Sequence, residues 1–102
     1  MYTNAFNCDA FNLSEISSIN DVKAFADYLV NVLNINIHPD TPFGDYVSYE
    51  DKTPTFTKQD AEIGDRLMDE CFEVCEKCGE DVYEIMGDVL FARLRESKEN
   101  AA

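Results

Sequence analysis

Residues 57–79 read TKQDAEIGDRLMDECFEVCEKCG, and the reading of this stretch decides the fold. Thr57 followed by Asp60 has the spacing of a capping box, so a helix is expected to begin there. Ile63, Leu67, Cys71, Val74, Cys75 and Cys78 then recur at three- and four-residue steps and predict one buried helical face. Glu62, Asp65, Asp69, Glu73 and Glu76 fall on the opposite side. Gly79 suits the left-handed residue that follows a helix C-terminus, so the helix is expected to span 57–78.

The pattern resumes at once downstream. Asp81 can cap a third helix over 81–97, with Glu84 three residues on. Val82, Ile85, Met86, Val89, Leu90 and Leu94 form its apolar face. Arg93, Arg95 and Lys98 near its end complement the helix dipole. The short connection at Gly79 predicts an αα-hairpin, in which Cys71 falls level with Gly87 and small residues let the helices approach.

Upstream, Ser18 and Asp21 repeat the capping spacing and open a first helix over 18–34. Its buried stripe is expected to be Val22, Phe25, Ala26, Leu29, Val32 and Leu33. Residues 35–56 hold Pro39, Pro42 and Pro54, and the first two exclude a regular helix there. This connection also carries Phe43, Tyr46, Val47, Tyr49 and Phe56, too many apolar rings for a loose linker. It is expected to pack on the helices, with a short β-hairpin pairing 46–49 with 53–56. Residues 1–17 read either as a short strand or as an apolar arm, and 98–102 as a fraying tail. Together these readings predict one mainly α, three-helix domain over residues 1–102.

Charge sets this sequence apart. Twenty-one Asp and Glu against eight Lys and Arg give a net charge of −13. Such a chain is repelled by nucleic acid and by anionic membranes, so neither is an expected direct partner, whereas a basic protein surface is attracted. The N-terminal residues have no basic segment and no apolar run, and no stretch reaches the roughly 20 apolar residues of a membrane span. The cytoplasm is therefore the expected compartment, with the four cysteines reduced.

Cys71, Cys75 and Cys78 spell C-x3-C-x2-C. That spacing resembles the iron–sulfur motif of radical SAM enzymes and implies, as an alternative, a small metal- or cluster-binding protein using these three thiols. Helical geometry opposes it. Seven residues at ~1.5 Å rise separate Cys71 from Cys78 by about 10 Å along the axis, whereas cluster ligands must converge. The Cys75/Cys78 pair also sits at a helix C-terminus among acids, where the thiolate is disfavoured. Core packing is the preferred reading, with no cofactor expected.

Residues 59–84 hold ten acids against Arg66 and Lys77 alone. Neighbours in the Glu62–Glu76 row stand ~5–6 Å apart. Such a row is either a solvated face or a docking stripe for a basic partner, spaced so that it could imitate nucleic-acid phosphates. Small acidic proteins that inhibit DNA-binding enzymes resemble this chain in size and charge. Phe43, Tyr46 and Tyr49 form a second candidate surface, since aromatic residues dominate interface hot spots. His38 is the single histidine and lacks an evident catalytic partner. No phosphate-binding loop, dinucleotide fingerprint, nucleophile elbow or zinc-protease motif occurs. The sequence thus points to a non-enzymatic acidic interaction module, a regulator or inhibitor docking on a basic protein surface. A self-associating accessory subunit, a homodimer, is a further alternative.

Overall fold

The computed structural model describes residues 2–11, 13–47 and 52–100, with the side chains of 96–100 left aside. Three helices account for most of them. Helix α1 spans Ile19–Asp27 and runs directly into a π-helical turn at Tyr28–Val32. Helix α2 spans Lys58–Cys78 and α3 spans Val82–Asn100. A 3-10 turn, Phe43–Asp45, interrupts the long connection between α1 and α2. The fold is mainly α, as the periodicity predicts, and no helix among the described residues is long and apolar enough to cross a membrane.

The helix boundaries follow from their caps. The Thr57 side chain accepts a hydrogen bond from the Asp60 N–H at 3.1 Å and opens α2. Gly79 closes it at φ +69. The Glu80 N–H reaches the Cys75 carbonyl and the Gly79 N–H reaches that of Glu76, the paired bonds of a Schellman motif. Ser18 caps α1 by accepting from the Asp21 N–H. The Asp21 carboxylate reaches one residue further back than a capping box requires and accepts from both the N–H and the hydroxyl of Ser17 at 3.0 Å. Asp81 opens α3 by accepting from the Tyr83 N–H.

The end of the first helical segment departs from the expected stripe. The Leu33 N–H bonds five residues back to Tyr28, and the Ile35 N–H six residues back to Leu29. Asn34 adopts φ +58 and ends the segment in the left-handed conformation that asparagine tolerates. The wider turn shifts the phase of the side chains. Tyr28, Leu29 and Val30 all point inward, whereas Val32, expected in the core, is half exposed. Arg93 of α3 donates to the freed Val30 carbonyl at 3.0 Å. It therefore serves the C-terminal end of another helix as well as its own.

Residues 2–11 and 13–16 form an arm that is part of the core, with no strand among these described residues. Ala5, Phe6, Phe11 and Ile16 are buried, while Cys8 and Ala10 stay exposed. Cys8 and Phe11 exchange backbone hydrogen bonds across a tight turn. The Phe6 ring lies within 5.5–6.2 Å, centroid to centroid, of Phe11, Phe25, Tyr28, Phe43 and Phe56. Five rings, from the arm, the first helical segment and the connection, thus meet around one ring, at distances favourable for aromatic pairs. Among the described residues of the expected hairpin, Val47 and Pro54 form an antiparallel bridge, with the Thr55 N–H bonded to the Tyr46 carbonyl. Its turn, including Tyr49, lies outside the described residues.

The αα-hairpin between α2 and α3 closes at Gly79–Asp81. Helix α3 makes its more extensive packing with α1. The close approach sought at Gly87 is absent: a Cβ there would meet nothing within 4 Å. It occurs instead at Gly64, whose missing side chain makes room for the Phe43 ring.

Candidate functional site

Helix α2 has two faces of opposite character. Ala61, Leu67, Met68, Cys71 and Cys75 face the core and are buried. Glu62, Asp65, Asp69, Glu73 and Glu76 are all exposed, so the acidic row expected from the spacing lies on the surface. From Glu62 to Glu76 it extends about 21 Å along the axis. Among the described residues, no hydrogen bond or ion pair engages the side chains of Glu62, Asp69, Glu73 or Glu76. The i,i+4 ion pair that forms on this helix joins Arg66 to Glu70 at 3.3 Å.

Asp65 differs from the rest of the row. Its Oδ1 accepts the Phe43 N–H at 2.8 Å and so pins the 3-10 turn to α2. Two acids outside the row act alike. Asp60, buried despite its charge, accepts the Ala5 N–H at 3.1 Å, and Glu70 accepts the Ile16 N–H at 2.7 Å. Three carboxylates of one helix therefore hold the irregular segments by their backbones, where those N–H groups would otherwise lack a partner. Sequence spacing could not single out Asp60 and Glu70, because their partners lie 55 and 54 residues away.

The aromatic candidates divide. Phe43 is buried and belongs to the core, so it is withdrawn as a docking residue. Tyr46 is half buried. Its ring packs on Phe43 and Phe56, and its hydroxyl accepts the His38 N–H at 3.1 Å. Burial raises its pKa above the ordinary value of 10.0. Tyr49 lies outside the described residues. His38 itself is exposed, and its Nδ1 accepts the Asp40 N–H, a local loop contact.

The cysteines also divide. Helix α2 runs unbroken through all three positions of the C-x3-C-x2-C spacing. Cys71 and Cys75 are buried, but Cys78 points to solvent, which corrects its placement on the core face. Burial pushes the Cys71 thiol up to about 12 and raises that of Cys75 as well. Both effects oppose the thiolate that a metal or a disulfide exchange requires. Among the described residues, no group of three or more His, Cys, Asp or Glu side chains converges as a metal site would need.

No protein-family model matches the chain, and neither a curated protein nor a solved structure matches it.

Proposed function

We propose that this protein is a non-enzymatic acidic interaction module, a regulator or inhibitor acting in the cytoplasm, whose α2 face docks on a basic protein surface. The observation that carries the reading is the common exposure of Glu62, Asp65, Asp69, Glu73 and Glu76 along one continuous helix. Like charges at this spacing repel by up to about 1 kcal/mol per pair in water, less with salt. A basic partner relieves that repulsion on binding. Because the row belongs to a rigid helix, the charges are positioned beforehand and little ordering entropy is lost. A straight row of carboxylates can also occupy a surface built for nucleic-acid phosphates, which makes nucleic-acid-binding proteins a suitable target class.

The test is affinity capture with the full chain at low and high salt, beside a variant carrying Glu62→Gln, Asp69→Asn, Glu73→Gln and Glu76→Gln. Asp65 is left intact because it holds Phe43. A basic protein retained at low salt, released at high salt and lost with the variant supports the reading. Capture that survives both salt and neutralisation overturns it.

A further inference from the structure

A groove of about 520 Å³ lies between α1 and α3 and shares no residue with the acidic row of α2. Ile19, Lys23 and Asp27, each a turn apart on α1, line one side. Glu84, Ile85, Asp88 and Val89 of α3 line the other, with Glu80 of the preceding turn beside them. The floor is apolar: Ile85 is 9% exposed, and Ile19 and Val89 are half-buried against the core. The rim is acidic: Asp27, Glu80, Glu84 and Asp88 are all exposed, with Lys23 as the groove's one cation. Among the described residues, no ion pair joins Lys23 to these acids. Of the four carboxylates only that of Asp27 accepts a hydrogen bond, from the Asn31 side chain.

Floor and rim together select the chemistry of the occupant. An apolar floor open to water favours an alkyl chain. Glu84 and Asp88 stand ~5–6 Å apart, one turn from each other, and a positive charge between them relieves their repulsion. A neutral apolar chain would cover the floor but desolvate the carboxylates without pairing them. A bare metal ion would leave the floor unused, and among the described residues no group of three or more ligating side chains converges on one. A long cationic side chain satisfies both parts, since its methylene stem lies on apolar surface while its head stays at the charged edge. The volume falls within the roughly 300–1,000 Å³ of ligand sites, a size suited to side chains rather than to a folded element.

We propose that the α1–α3 groove receives a lysine or arginine side chain from a basic segment of a partner protein, its stem on Ile19, Ile85 and Val89 and its charged head between Glu84 and Asp88. The α2 row selects a partner by charge alone. The groove selects by charge and by the length of the stem that carries it. It does not rest on the reading of the α2 row, and either surface can bind without the other.

Nuclear magnetic resonance titration of the isotope-labelled full chain with octalysine at pH 6 tests the groove. The amide signals of Lys23, Glu84, Ile85, Asp88 and Val89 should shift together and saturate. An octamer of diaminobutyric acid carries the same charge on stems about two methylenes shorter, and should bind there roughly fivefold more weakly. Glu84→Gln combined with Asp88→Asn, at exposed positions, should weaken octalysine at the groove about fivefold and leave the signals of Glu62, Asp69 and Glu73 responding as before. Groove signals that stay still while the α2 row responds overturn the proposal. So does equal binding of the two octamers at the groove, or a groove response that survives the double substitution. A groove response beside a silent α2 row supports the groove and counts against docking at α2.

Discussion

The Phe43 ring occupies the space that a side chain on Gly64 would fill: a Cβ built there would lie 2.5 Å from Cδ2 of Phe43. A residue of the irregular connection thus inserts where the middle of α2 lacks a side chain. Gly64→Ala should therefore destabilise the protein. Overpacking costs about 1–3 kcal/mol, and the better helix propensity of alanine returns no more than about 1. Gly87→Ala meets open space and should stabilise by about 0.5–1 kcal/mol. Urea unfolding of the two variants checks the opposite signs.

The acids of α2 should separate by mutation. Asp60→Ala leaves the buried Ala5 N–H without an acceptor and should cost about 1–3 kcal/mol, with Asp60→Asn recovering part of it. Asp69→Ala, on the exposed row, should stay within about 0.5 kcal/mol of the parent. Equal losses at the two positions would contradict the arm's attachment.

Thiol reactivity should split in two. Cys8 and Cys78 are exposed and should react with an aromatic disulfide reagent under native conditions. Cys71 and Cys75 should react only as fast as the fold opens, and all four together in denaturant. Rapid native labelling of Cys71 would show that α2 does not bury the face described.

Acid should weaken the α1 cap. Hydrogen bonds from the Ser17 backbone, and then from the Ser17 and Ser18 side chains, hold the Asp21 carboxyl below its ordinary 3.8, although burial opposes them. A lowered folded pKa gives stability that is present above the ordinary value and is lost as pH falls through the folded one. The stability difference between the parent and Asp21→Asn should therefore be full at pH 6 and shrink below pH 3.8. A difference that persists at pH 2 would mean that the carboxylate charge contributes nothing.

The helices were legible because their signals are local. Thr57, Gly79, Ser18 and Asp81 each act within a few residues, and the 3.6-residue period of α2 is uninterrupted. The exposure of Glu62 to Glu76 followed from the same period. What could not be read depends on distant partners. Val32 faces outward because a π turn shifts the phase after Asp27, and no local residue pattern announces it. Phe43 looked like surface bait because the gap that receives it belongs to Gly64, on another element. Cys78 lies on the same helical row as Cys71 and Cys75, but the core ends before the last turn. The exposure of Leu94 was equally hidden, since it has the spacing of a core residue and only the packing shows it outside.

The arm has a consequence for the order in which the chain is made. Phe6 sits at the centre of the aromatic cluster, yet the Ala5 N–H beside it waits for a carboxylate 55 residues later. At ~5–20 residues per second, roughly 3–11 s of synthesis separate the two. For most of that interval neither Phe43 nor Phe56 has been made, and the nascent segment around Phe6 stays sticky. Helix content alone suggests a fast folder. The ring at the core's centre requires a long-range closure, and such closures are slow.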